Sequence, residues 1–468
     1  SVSVVPAALL PAQRGAVNPH AASSSRAASS SPRRIAPSHY HAASSSQHLR
    51  AASISMTSAF ERENMFLAEM KVTAKEIARR GCGILATDES HATVGKRLST
   101  VGVENTPENR RRFRELLYTT EGLGKHLSGV IMYDETLYQR TSGGVRFVQV
   151  LRDEGIQVGI KVDTGLAPLG GGAASGETST QGLDGLSDRC KAYYAEGARF
   201  AKWRAVFKMG RGTPSRRALS DNAHSLARFA SICQENGLVP IVEPELTLGP
   251  GDYDIEEAAH QTERVLSTVF RKLNAYDVVP EAMLLKPGMV LPGLDAAMVP
   301  KEDVAKFTAR SMMRTVPPAV PGIHFLSGGM GAEEATSNLQ ALQRACPNAP
   351  WSLSFSFGRA LQDSVLKTWA GDDANADAAQ TLLRELARVN GEAQAGEWNE
   401  EHPSPGGGRV LLSDLAVGLR LRYEFSRQFA PYIGVEWTDT YGDTADYRRA
   451  AGQDTSGTQF VAGLRFWF

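Results

Sequence analysis

The stretch AMLLKPGMV, residues 282–290, runs through four apolar residues into Lys286 and stops at once on Pro287 and Gly288. A short apolar run closed by Pro and Gly is the pattern of a buried strand that ends at a turn. It sets Lys286 at the inner end of that strand, where an ammonium is costly unless it is paired, neutralised or used in chemistry.

Working outward, seven further runs have the same character: GILAT (83–87), GVIMY (129–133), VGIKV (158–162), FAKWRAV (200–206), LVPIVEPE (238–245), GIHFLSGG (322–329) and WSLSFSFG (351–358). Helical patterns lie between them. In 222–236, Leu226, Phe229, Ala230 and Cys233 share one face, Ser220 and Asp221 are the expected caps, and Gly237 follows the end. In 255–273, Val265, Val269, Phe270 and Leu273 keep helical register. Eight strands, each followed by a helix, predict an α/β fold of the (β/α)8 TIM-barrel type. An open doubly wound sheet is the alternative on pattern alone.

In such a barrel the chemistry gathers at the C-terminal strand ends. Those ends carry Asp88 and Ser90 after the first strand, Lys161 in the third, Lys202 and Arg204 in the fourth, and Glu243 and Glu245 in the fifth. Lys286 closes the sixth, Ser327, Gly328 and Gly329 the seventh, and Gly358 and Arg359 the eighth. Spacing of i, i+2 puts Lys202 with Arg204, and Glu243 with Glu245, on one strand face. One reading is a structural ion-pair network. The other is catalytic, because plain burial is served as well by apolar side chains. Desolvation and a neighbouring cation such as Lys202 would favour a neutral Lys286, able to attack a ketone and form an iminium. Asp88, Glu243 and Glu245 could then move protons, and the Gly-rich, cationic rim suits phosphate. The residues thus describe a Schiff-base lyase acting on a phosphorylated keto sugar.

Composition agrees and excludes. With 51 basic and 51 acidic residues there is no electrostatic footprint for nucleic acid. Four cysteines (Cys82, Cys190, Cys233 and Cys346) have no zinc or disulfide spacing. Ten histidines supply no HxH or HxxH pair within the barrel, so neither a metal nor another cofactor is expected. No apolar run is long enough for a membrane helix. His324 reads as a satisfied core or rim histidine, and the glycine-rich PLGGGAASGET (168–178) as a surface loop without the phosphate-loop pattern. Ser1 to Phe60 contains no Asp or Glu and carries Arg14, Arg26, Arg33, Arg34 and Arg50. Residues 1–56 therefore read as a transit peptide, with a generic disordered segment as the alternative.

GILATDES, VGIKVDTG, STQGLDGL, FAKWR, VPIVEPE, LLKPGM, FLSGG and SFGRALQ together resemble class I fructose-bisphosphate aldolase, plastid type, from about Glu61 to the GGGR at 406–409. The resemblance implies that Lys286 forms the Schiff base, Glu243 shuttles the proton for iminium formation, and Asp88 takes the hydroxyl proton during carbon–carbon cleavage. It makes Glu245 and Lys202 the supporting charged pair. Ser90, Lys161 and Arg204 would hold the distal phosphate, and Ser327, Gly328, Gly358 and Arg359 the phosphate next to the ketone. Arg97 fits a substrate-facing arginine, with a solvated helix charge as the alternative. A homotetramer in the plastid stroma is also implied, serving glycolysis and the Calvin cycle with fructose or sedoheptulose bisphosphate. A disabled barrel kept as a scaffold is the competing class.

Past residue 408 the texture changes. Leu415, Val417, Leu419, Leu421, Tyr423 and Phe425 alternate, PYIGVEWTD does likewise, and Phe460, Ala462, Leu464, Phe466 and Phe468 close the chain. Residues 409–468 resemble the last strands of a bacterial outer-membrane copper resistance protein B. Three strands cannot close a barrel in lipid, so no membrane span is expected. A joined gene model, a true fusion with a β-meander and a chance likeness stay open. The first is preferred, since aromatic edges on a soluble enzyme are an aggregation hazard. A membrane-anchored chain would instead follow the tail.

Overall fold

Eight strands pair in parallel: β1 (Gly83–Thr87), β2 (Leu127–Met132), β3 (Gln157–Lys161), β4 (Phe200–Lys208), β5 (Val239–Thr247), β6 (Leu284–Leu285), β7 (Gly322–Phe325) and β8 (Ser352–Phe357). Each neighbours the next, and β8 returns to β1 through Ile84 opposite Ser356 and Leu85 opposite Phe357, closing the barrel. The closure excludes the open sheet. This computed structural model describes residues 64–170, 176–247, 251 and 253–399, with the strands at 414–422, 429–440 and 456–466. The transit-peptide reading of 1–56 falls outside the described residues.

Alternation along the strands sorts the core into two shells. Leu85, Ala201, Trp203, Val242 and Leu285 face the helices, while Ile84, Phe200, Ile241 and Leu284 fill the barrel's interior. The interior layer is tight: a Cβ on Gly159 would lie 2.1 Å from the Phe200 ring, so only glycine fits on β3 there. Below it, α1 (Leu67–Ile77) closes the barrel's N-terminal end with Leu67, Met70, Ala74 and Ile77. Their helical spacing was readable, yet the strand-first reading passed over this helix.

Three local expectations are corrected. β6 is two residues long rather than five, because Pro280–Ala282 form a 3-10 turn before it and Pro287 has no N–H to donate after it. Lys286 still extends the ladder, its N–H donating to the Val242 carbonyl at 2.8 Å. α2 (His91–Ser99) follows β1. Further along, after β4, α3 (Arg216–Glu235) begins six residues before the expected start and is capped by Ser215, whose hydroxyl accepts from Ala218 N–H at 3.1 Å. Asp221, expected as the cap, instead accepts from the Ser179 hydroxyl at 2.6 Å. The loop reading of 168–178 falls between two paired strands, Gly165–Pro168 antiparallel to Thr178–Gln181, and its residues 171–175 lie outside the described residues.

Other expectations hold. Leu226, Phe229, Ala230 and Cys233 are all buried on α3, and Gly237 follows with φ +79°. α4 (Ile255–Ala275) is capped by Asp254 and buries Val265, Val269 and Leu273. Gly358 precedes α5 (Arg359–Trp369). All four cysteines are free, with the Cys190 and Cys233 sulfurs 3.8 Å apart. Towards the C-terminus, β9 (Asp414–Arg422), β10 (Phe429–Thr440) and β11 (Ser456–Phe466) form a three-stranded antiparallel sheet in the order 9-10-11, as the alternation predicts. Tyr423, Phe425 and Phe468 lie outside the described residues. Among the described residues, no helix is long and apolar enough to cross a membrane.

Candidate active site

Directly above the Phe200–Ile241–Leu284 layer, the same strands turn from apolar to ionic. Two residues further along each strand face stand Lys202 and Glu243, joined by Lys286 just past β6. Lys202 Nζ lies 2.7 Å from Asp88 Oδ2, 3.1 Å from Glu243 Oε2 and 4.0 Å from Asp163 Oδ2. The other Glu243 oxygen is 3.1 Å from Lys286 Nζ. Lys161 Nζ sits 2.6 Å from Asp163 Oδ1. Lys161, Lys202 and Lys286 are thus interleaved with Asp163, Asp88 and Glu243, three cations against three anions. Glu243 stands between two ammoniums.

Burial and charge compete at each member. Desolvation pushes the Asp88 carboxyl up, but the Lys202 ammonium, aided by Lys286 and Lys161, outweighs it and holds Asp88 well below the usual carboxylate range. For Lys202, desolvation favours the neutral amine, and the Asp88, Glu243 and Asp163 charges overturn this and raise its pKa above the ordinary lysine value. Lys202 is therefore a permanent cation and Asp88 a permanent anion near neutral pH. The expected Lys202–Glu245 pair is not formed. Glu245 receives Arg204 Nε at 2.5 Å, while Lys202 serves Asp88 and Glu243. The strand register explains this: Arg204 is level with Glu243 and Val206 with Glu245, so the longer arginine reaches up to Glu245.

At the rim, the Arg359 guanidinium donates to the Gly328 carbonyl, bringing the ends of β7 and β8 together. Ser327 is buried, and Leu326 N–H donates to the Pro287 carbonyl at 3.0 Å, tying this loop to the Lys286 turn. Arg97 also belongs here. A Cβ on Gly358 would be 3.9 Å from its Nη2, and its side chain is only 20% exposed, so it is not a solvated helix charge. Ser90, Lys161 and Arg204, expected as one group, are each held by a different partner. Ser90 caps α2 at Thr93 N–H, Lys161 is on Asp163 and Arg204 is on Glu245.

Two carboxylates escaped the reading of strand ends. Asp163 lies two residues past β3 and binds Lys161, a position its place in VGIKVDTG could have signalled. Glu89 is buried between Arg97 Nη1 at 2.6 Å and Arg114 Nη2 at 2.5 Å, with Gln362 Nε2 donating to it at 2.9 Å. Arg114 and Gln362 come from distant helices, and no local pattern marks that meeting.

His324 is not the satisfied histidine expected. It is fully buried, its Nε2 is 3.4 Å from the Ile77 carbonyl, and its Nδ1 has no partner. Burial, with the Lys286 charge also acting downward, overcomes the Ile77 hydrogen bond and pulls its pKa down to about 4. The folded value is below the unfolded one, so the unfolded chain binds the proton first as pH falls. Stability should therefore decline between pH 6.5 and 4, by roughly 3 kcal/mol from this group. Urea denaturation of His324→Gln, compared with the parent chain across that range, should show a shallower decline.

A closed parallel barrel with an ionisable cluster at the C-terminal strand ends defines the chain as a (β/α)8-barrel enzyme. Residues 69–413 match the family model of class-I fructose-bisphosphate aldolase. The chain is 54% identical over 333 residues to cytosolic fructose-bisphosphate aldolase 6 of Arabidopsis thaliana, covering 71% of this chain and 92% of that one. It is 51% identical to the fructose-bisphosphate aldolase of Dictyostelium discoideum, covering 72% and 94%. A solved structure of the Plasmodium falciparum fructose-bisphosphate aldolase superposes with a TM-score of 0.70 at 47% identity, covering 71% of this chain and 96% of that one. The chain belongs to the class-I fructose-bisphosphate aldolase family, and its activity is that of a glycolytic aldolase, a lyase. Residues 392–468 match the family model of copper resistance protein B precursor.

The chloroplast expectation is corrected by the same comparisons. The similar aldolases of Arabidopsis thaliana, Pisum sativum and Spinacia oleracea are named cytosolic or cytoplasmic, which points to the cytosol. An acid-free, Arg- and Ser-rich leader is a compositional signal only, and the plastid type and Calvin-cycle place that rested on it lose their support.

Proposed function

We propose that Lys286 is the nucleophile, Glu243 its proton shuttle and Asp88 the base of carbon–carbon cleavage of fructose 1,6-bisphosphate. The observation that carries this is Glu243 itself, 3.1 Å from Lys286 and 3.1 Å from Lys202, which in turn holds Asp88 at 2.7 Å. Glu243 takes a proton from the Lys286 ammonium 3.1 Å away, the neutral amine attacks the ketone carbon, and Glu243 returns that proton to the departing hydroxyl as the carbinolamine loses water. Asp88, kept ionised by Lys202, takes the proton of the C4 hydroxyl. The C3–C4 bond breaks, its electron pair moves into the iminium to give an enamine, and glyceraldehyde 3-phosphate leaves. Protonation at C3 and hydrolysis of the iminium release dihydroxyacetone phosphate and restore Lys286.

Ser327, Gly328, Gly358, Arg359 and Arg97 take the phosphate near the ketone, while Ser90, Lys161 and Arg204 take the distal one. Glu245 positions Arg204. Residues 57–408 form the catalytic unit, 1–56 a leader and 409–468 a separate β segment. The active assembly is a homotetramer, which sedimentation of the full chain would test by its mass.

Borohydride trapping of the full chain with fructose 1,6-bisphosphate, followed by peptide mapping, should give an adduct on Lys286. A folded protein with no adduct, or with one on another lysine, would refute the assignment. The alternative of a disabled scaffold predicts no trapping at all. Glu89, placed between two guanidiniums, sets the aim of Arg97. Glu89→Gln should raise KM roughly tenfold while changing kcat less than threefold, since a charge-assisted hydrogen bond to Arg97 is weakened away from the reacting atoms. Steady-state kinetics would check this.

A further inference from the structure

On the outer face of the barrel, α3 and α4 enclose a cleft of ≈ 310 Å³ lined by Arg216, Leu219, Ser220, Arg264, Thr268 and Arg271. It shares no residue with the ionic cluster of the barrel mouth. Three guanidiniums meet in it with no lining carboxylate. Arg264 is fixed, its Nη1 donating to the Pro214 carbonyl at 3.0 Å and to Gln261 Oε1 at 3.2 Å. The Arg216 and Arg271 side chains make no hydrogen bond or ion pair among the described residues. Of the nearest carboxylates, Glu263 is taken up by Arg310 and Arg314, and Glu177 is turned to the backbone, accepting from Ser215 N–H at 2.7 Å.

Arg216 and Arg271 are exposed, so solvent screens much of their mutual repulsion, and both side chains are open to an anion entering from water. The planar forks suit tetrahedral phosphate oxygens, and the Ser220 hydroxyl lines the cleft with them, while Thr268 donates its own hydroxyl to the Arg264 carbonyl at 2.8 Å. The volume stands at the lower end of small-molecule sites, which run from about 300 to 1,000 Å³, and too small for a polymer segment. Buried Leu219 supplies one apolar wall.

We propose that this cleft is a second anion site, separate from the barrel mouth, which takes a compact phosphate-bearing metabolite with a short carbon skeleton. Inorganic pyrophosphate is the probe. Calorimetric titration of the full chain should show one binding event per chain more than the Arg216→Ser/Arg271→Ser double variant, while both cleave fructose 1,6-bisphosphate at the same rate. Arg216→Lys/Arg271→Lys should retain the extra event with affinity weakened roughly tenfold, since lysine keeps the charge but loses the fork. Identical isotherms for parent and serine variant would overturn the proposal. So would a change in sedimenting mass in the serine variant, which would make the cleft a contact between copies of the chain.

Discussion

Lys286→Met should lose fructose 1,6-bisphosphate cleavage by about 10,000-fold or more while remaining folded, because removing a covalent nucleophile collapses the steps that depend on it. The two halves of that expectation have separate causes. Lys286 is buried just past β6, and methionine fills similar volume with apolar atoms. The carboxylate it leaves, Glu243, still has Lys202 at 3.1 Å, so it is not left without a cation. Turnover and borohydride incorporation should vanish together, while the urea midpoint moves little. Cleavage within tenfold of the parent chain would remove Lys286 from the chemistry.

Lys202→Met should do the reverse in emphasis, destabilising the fold by roughly 3–5 kcal/mol, as breaking a buried charge pair does. This one ammonium faces Asp88, Glu243 and Asp163, and without it Asp88 loses its 2.7 Å partner in a site where desolvation already opposes ionisation. The pH dependence follows from the directions of the shifts. Asp88 is depressed in the fold, so its stabilising share is present above the unfolded carboxylate pKa of about 4 and is lost as pH falls below it. Lys202 is raised, so its share is complete below about pH 10.4 and is lost as pH climbs past its folded value. Lys202→Met should therefore flatten the stability plateau between these limits. Lys202→Met/Asp88→Asn should recover part of the loss, because one fewer carboxylate is then uncompensated. A urea-unfolding cost under about 1 kcal/mol for Lys202→Met would show that the cluster is not coupled as its distances imply.

The two variants separate what a lysine can do in one barrel. Lys286 pairs directly with one carboxylate, Glu243, which Lys202 also serves, whereas Lys202 has three anions within 4.0 Å. Fixed cation and proposed nucleophile sit at the ends of β4 and β6, with Glu243 of β5 between them.

Local pattern alone determined the run of eight strand–helix units, the strand ends and the residue types placed there, while closure into a barrel rather than an open sheet was decided by the tertiary structure. Apolar runs, Pro–Gly stops and the two-residue period are properties of neighbouring residues, and they made Asp88, Lys202, Glu243 and Lys286 legible as a group at one rim. They also revealed the three antiparallel strands of the C-terminal segment. Pairing was another matter. That Lys202 holds Asp88 rather than Glu245, that Glu89 lies between Arg97 and Arg114, and that Arg216 meets Arg271 were settled only by the tertiary structure. Those partners are brought together by barrel register and helix packing, and a charge interacts with whatever lies within a few ångströms of it, however far away in the chain.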